Sequence, residues 1–240
     1  MRELRPGSEL AGYRIESVER EGEDAAVLLA RDPLDERAVW LHIAGDPPGS
    51  LSTTRFLERA RRLGAVEHPH LLGVLRTQTL DGHAIAIAQA PQGKRLDELI
   101  ADGPIPPQTA VRIVRQVASA VDAVEDAGAE PPPLTAEAIW VDADGSARLD
   151  GLGMRSGAPL APSSSAALAG LLEDMTHRVP APICPVIARA RDGAYLSAGQ
   201  LASDLGAVAH RAAARRREIA TLVLGAATLI LFIVLLVELA

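Results

Sequence analysis

The sequence predicts an α+β fold followed by one C-terminal transmembrane helix. Three observations carry this reading. Strand-like segments crowd the region 13–88, with one helix among them. Helix-like segments dominate from Leu96 onward. The segment Ile219–Leu239 is apolar apart from Thr221, Thr228 and Glu238. Strands first and helices afterwards indicate a sheet-rich front and a helical rear.

Tyr13–Val18 alternates apolar and polar residues, the pattern of a half-buried strand. Ala25–Ala30 and Ala38–Ala44 are short apolar runs separated by the turn Asp32-Pro33-Leu34-Asp35. Ser52-Thr53-Thr54-Arg55 opens a helix to about Leu63, which His68-Pro69-His70 breaks. Two further strands, Leu71–Thr77 and His83–Ala88, flank Asp81-Gly82. Leu96–Ala101 is a short helix. Pro107–Ala127 is a long one, with Val111, Val114, Val117, Ala118, Val121 and Val124 at helical spacing. Pro131-Pro132-Pro133 enforces an extended stretch. A hairpin follows, Ala138–Val141 and Ser146–Leu149 around Asp142-Ala143-Asp144-Gly145. Gly151–Ser165 reads as loop, and helices resume at Ala166–Thr176, Pro185–Ala190 and from Ser197.

Composition narrows the function classes. Hydrophobic residues make up 48% and charged residues 23%, a globular balance. Aromatics are 2%, so the core must be aliphatic. The net charge is −7 and the basic residues form no broad patch, which gives nucleic-acid binding no electrostatic support. The one cysteine, Cys184, fits a reducing compartment and is expected to be a small buried apolar residue. His68 and His70 lack a completing ligand set for a metal. Ser163-Ser164-Ser165 lacks the glycine elbow of a hydrolase.

Met1–Gly7 has no apolar run, so no signal peptide is expected. The run 219–239 has the length that about 20 residues need to cross a core of roughly 30 Å. Arg211, Arg215, Arg216 and Arg217 precede it. Arginines on that flank place the N-terminal domain in the cytoplasm, on a single-pass plasma-membrane anchor in contact with lipid.

Specific residues carry a family resemblance. Tyr13-Arg14-Ile15-Glu16, Leu29-Ala30-Arg31-Asp32-Pro33, Arg55-Phe56-Leu57 and Glu67-His68-Pro69-His70-Leu71-Leu72 stand in order. Ile139-Trp140-Val141-Asp142-Ala143-Asp144-Gly145, Val186–Ala190 and Tyr195-Leu196-Ser197-Ala198 follow them. Together they resemble a bacterial membrane-anchored Ser/Thr protein kinase. The resemblance implies a two-lobed kinase-like fold with a reduced C-lobe. Its layout is a lead-in at 1–12, an N-lobe at 13–90, a C-lobe at 91–210, a basic juxtamembrane segment at 211–218 and the transmembrane helix at 219–239.

The same resemblance places the family's functional positions on unsuitable residues. Its three loop glycines fall on Arg20, Gly22 and Ala25, among acids that would repel phosphate. The phosphate-pairing lysine falls on His42, and its helix glutamate on Arg59, with Glu58 beside it able to turn inward. The catalytic base falls on Pro133, which cannot accept a proton, and the loop lysine on Thr135. The metal-binding asparagine falls on Ala138. The Asp-Phe-Gly motif falls on Gly151-Leu152-Gly153, with Asp150 one position early. A degenerate, catalytically inactive pseudokinase without cofactor or metal is therefore expected. It would act as a scaffold or regulator, recruiting a cytoplasmic protein partner or modulating an active Ser/Thr kinase, in settings such as envelope synthesis or division. Two alternatives stand beside it. One is an atypical kinase or nucleotide-binding enzyme with residual activity, using Glu130 or Glu137. The other is a membrane-anchored binding module unrelated to kinases.

Overall fold

Six antiparallel strands stand at the front of the chain. They are β1 (Glu9–Leu10), β2 (Tyr13–Glu21), β3 (Ala25–Arg31), β4 (Ala38–Ala44), β5 (Val74–Leu80) and β6 (His83–Gln89), in the order β1-β2-β3-β4-β6-β5. This is a computed structural model, and it describes residues 5–10, 12–22, 25–80, 82–153, 163–211 and 214. In β6, Ile85 and Ile87 point into one sheet face and join Tyr13, Ile15, Leu28, Leu41 and Ile43. The alanines between them, Ala84, Ala86 and Ala88, turn to the opposite face and leave room there.

Helix α1 (Leu51–Gly64) starts where Ser50 caps it, its hydroxyl accepting from the Thr53 N–H at 3.2 Å. Ala60 and Leu63 bury its inner face near Val74 of β5. The rear contains α2 (Leu96–Asp102), α3 (Pro107–Asp126), α4 (Ser164–Thr176), α5 (Cys184–Arg191) and a helix α6 over 198–211. The six α3 residues picked out by helical spacing are all buried, so the periodicity located the rear core. A second sheet of β7 (Lys94–Arg95), β8 (Ile139–Val141) and β9 (Ala147–Leu149) lies on α3, where the Gln116 Oε1 accepts from the Ala147 N–H at 3.0 Å.

Several elements differ from the sequence reading. Edge strands β1 and β7 are two residues each, too short to show a period. The strand expected from Leu71 begins at Val74. Leu71 instead forms a parallel bridge to Leu149, and the Leu72 N–H donates to the Leu149 carbonyl at 2.9 Å. That stitch joins the front of the molecule to its rear. Cys184 is exposed rather than buried. It opens α5, whose inner face is already supplied by Val186, Ile187 and Ala190. The expected transmembrane helix at 219–239 and the arginines 215–217 lie outside the described residues. Among the described residues no helix is long and apolar enough to cross a membrane.

Candidate functional site

The site lies in the cleft between the two sheets. From the front, the β2–β3 hairpin closes with the Gly22 N–H donating to the Ala25 carbonyl at 2.9 Å, and Arg20 stands near the end of β2. On β4, Trp40 and His42 share one face because strand side chains repeat every second residue. Their partners on β6 are the small Ala88 and Ala86. From the rear, β8 carries Trp140, and Asp150 follows β9 directly.

These groups meet. The Arg20 Nη2 donates to the Asp150 Oδ2 at 3.1 Å, across 130 residues of chain. The arginine side chain is 16% exposed and the carboxylate 2%, so this is an ion pair largely withdrawn from water. The other oxygen, Oδ1, accepts the Leu152 N–H at 3.0 Å. The His42 Nε2 lies 3.9 Å from that oxygen, too far for a hydrogen bond. The Asp150 N–H donates to the Ala138 carbonyl at 2.8 Å, which anchors the carboxylate to the start of β8. Arg59 of α1 donates through Nη2 to the Gly151 carbonyl at 2.8 Å.

Burial holds His42 below the ordinary imidazole value of 6.5, opposed by Asp150 and assisted by Arg20 and Arg59. The ring is therefore neutral in the folded chain, while the unfolded chain protonates it near about 6.5. The unfolded state then binds more protons as acid is added, so His42 contributes stability above that value that is lost as pH falls through it. Denaturant titrations between neutral pH and about pH 5 should show a decline to which His42 contributes at most about 1.4 kcal/mol per pH unit. His42→Gln should make it shallower. His68 is also lowered, by burial and by His70, so His68→Gln is the control. An unchanged slope in His42→Gln would remove His42 as the cause.

The remaining positions fall as follows. Pro133 is half-buried, and its carbonyl accepts the Thr135 N–H at 3.1 Å. Ala138 is buried. The neighbouring Pro132 packs towards Gly153, where an added Cβ would lie 3.4 Å from the proline Cβ. Glu58 does not turn inward. It is exposed and lines a groove of about 510 Å³ with Arg55, Arg59, Arg62 and Glu130. Glu137 is half-buried near Arg95. His70 bonds the Ala147 carbonyl at 2.9 Å, and the His68 Nδ1 accepts the His70 N–H at 3.2 Å. Ser163 caps α4. Among the described residues no group of three or more His, Cys, Asp or Glu side chains could hold a metal ion.

Sequence reasoning brought His42, Arg59, Ala138, Asp150 and Gly151 to one place but missed what fills it. Trp40 and Trp140, the only two tryptophans of the chain, meet edge-to-face with centroids 5.4 Å apart and planes at 76°. The signal was available. In a chain with 2% aromatics, one tryptophan sits two positions before His42 and the other two after Ala138.

No family model matches the chain. In sequence it is 32% identical over 157 residues to the serine/threonine-protein kinase PknE of Mycobacterium tuberculosis, which covers 64% of this chain and 28% of that protein. It is 30% identical over 87 residues to the serine/threonine-protein kinase pkn2 of Myxococcus xanthus, covering 36% of this chain and 10% of that one. The chain thus spans well under a third of the length of these relatives. In structure it resembles the crystal structure of the Mycobacterium tuberculosis PknI kinase domain, with a TM-score of 0.69 and 18% identity over 85% of this chain and 99% of that domain. A double mutant of the same domain gives a TM-score of 0.70. One expectation is corrected here. The substituted positions suggested a chain that is not an enzyme, whereas the relatives and structural neighbours are Ser/Thr kinases, which are enzymes. The chain is a kinase-like protein, related in sequence to bacterial Ser/Thr kinases and built on the protein-kinase fold.

Proposed function

We propose that the chain is a membrane-tethered scaffold or regulator on a kinase fold, which recruits a cytoplasmic protein or modulates an active Ser/Thr kinase. One observation carries the reading. Asp150, the carboxylate nearest to the place where the fold normally binds metal and phosphate, is taken up by the chain's own Arg20 and Leu152 N–H. An internally engaged cleft leaves the outer faces of the lobes as the surface offered to a partner. The tether is the apolar run 219–239, with Arg215, Arg216 and Arg217 on its cytoplasmic side and in reach of anionic lipid. A reporter on the N-terminus is expected to be digested by protease only in opened cells. Digestion in intact spheroplasts would reverse the topology.

For the partner, a photo-crosslinker at Arg55 of the full chain, in membranes of its own cell, should capture a Ser/Thr kinase or an envelope or division protein. Where a kinase is captured, its autophosphorylation rate should change when the purified chain is added. An unchanged rate would defeat the regulator reading.

A second reading, phosphoryl transfer by the chain itself, draws support from the kinase relatives and from Asp150 at the head of Gly151-Leu152-Gly153. It requires Arg20 to release the carboxylate. Phosphate incorporation by the purified chain that disappears in Asp150→Asn would favour it. Incorporation indifferent to that change would come from a contaminant.

A further inference from the structure

The cleft contains a feature that neither reading uses. Trp40 is 2% exposed and packs with Val27, Leu72 and Ala88, and with the half-buried Leu29, Ala90 and Trp140. It comes from the front sheet and Trp140 from the rear one, so the edge-to-face pair is a contact between lobes. The Arg20 guanidinium lies over the Trp40 ring, 5.7 Å from its centroid, while its Nη2 holds Asp150. His42 meets the same indole edge-to-face at 5.8 Å. A planar base entering between the lobes would need the space these indoles fill. The alanine face of β6, with Ala88 directly opposite Trp40, is what makes room for so large a ring.

We propose that the cleft is self-closed. Trp40 and Trp140 fill the place of a planar nucleobase, Arg20 covers Trp40 and latches to Asp150, and a nucleotide enters only after the two indoles part.

The latch is built so that it can open. The indole N–H of Trp140 is buried and makes no hydrogen bond among the described residues. A buried unpaired donor costs free energy that water would return once the rings separate. Arg20 is partly exposed, so solvent reaches the outer end of the latch. This inference stands apart from the scaffold reading, because a self-closed cleft can belong to a scaffold or to a kinase awaiting release.

The two tryptophans make the intrinsic fluorescence of the full chain a direct report on this cleft. Three chains are compared: wild type, Trp40→Ala and Trp140→Leu, with adenosine as the probe. Wild type should show blue-shifted emission, acrylamide quenching at least several-fold slower than free tryptophan, and no change of emission or melting temperature with millimolar adenosine. Trp40→Ala should show red-shifted Trp140 emission, and adenosine should move it back and raise the melting temperature. Trp140→Leu tests the same space from the other lobe, and its Trp40 emission should redden. If Trp40→Ala fails to fold, wild-type quenching and Trp140→Leu still decide the matter. Saturable quenching of wild type by adenosine, or acrylamide quenching as fast as for free tryptophan, would overturn the proposal. So would adenosine leaving a folded Trp40→Ala unchanged.

Discussion

Asp150→Ala is expected to lower the stability of the folded chain by about 3–5 kcal/mol, the range for removing one partner of a buried ion pair. The cause lies in what remains. Arg20 would keep its charge in a largely dry cleft with nothing to pair it, and the Leu152 N–H would lose its acceptor. The attraction that opposes the lowering of the His42 pKa would also vanish, so sensitivity to acid should extend to lower pH. Asp150→Asn keeps an acceptor for the Leu152 N–H and should cost less. A double-mutant cycle with Arg20→Met, followed by urea unfolding, isolates the pair. A single-mutant cost below about 1 kcal/mol would show that the pair is solvated like a surface bridge.

The second large effect is expected at Gly93, just before β7. This residue has φ +85°, in the left-handed region. An added Cβ would lie 2.1 Å from the Val141 carbonyl oxygen and 2.8 Å from the Asp142 Cα. Both contacts are backbone, so no side-chain rotation relieves them. Gly93→Ala therefore has to pull β7 away from β8, where Lys94 pairs with Val141 and Arg95 with Trp140. Strain of this kind costs about 1–3 kcal/mol before the clash is counted, and overpacking adds a similar amount. A fall in melting temperature is expected, with red-shifted tryptophan emission because Trp140 loses its β7 neighbour. Gly49, at φ +89° with open space around it, is the control. If Gly93→Ala costs no more than Gly49→Ala, the close approach is not limiting.

The fold was legible wherever the chain repeats itself. The valines of α3 and the Tyr13-Arg14-Ile15-Glu16 alternation of β2 fix a face by period alone, and both faces are where the pattern puts them. Leu71 and Leu72 misled because an apolar pair reads as strand, whether it pairs within its own sheet or reaches across to Leu149. Cys184 misled because a cysteine between prolines carries no facial information, and its neighbours Val186 and Ile187 had taken the inner positions. At the site, alignment by spacing named His42, Arg59, Ala138 and Asp150, but it described each by what it lacks. What they do instead depends on contacts spanning long stretches of chain. Arg20 finds Asp150 and Trp40 finds Trp140 only once the lobes are assembled. No local pattern encodes the Arg20–Asp150 pair, and the tryptophans signal theirs only by their places beside His42 and Ala138.

Helix α1 has a mechanical consequence. It lies on β5 through Leu63 and Val74, yet its arginines grip carbonyls of the rear lobe, Arg59 at Gly151 and Arg62 at Gly128. The C-terminal half of the helix is therefore a strut held by the sheet on one side and by the rear lobe on the other. A force that draws the lobes apart must strip α1 from the sheet or pull two guanidinium groups off their carbonyls. The outer rim of the cleft can yield first, while the region around α1 resists like the pin side of a clamp. Amides on the two sides of this grip, such as those of Arg62 and Leu152, should then exchange with solvent together, as one cooperative unit.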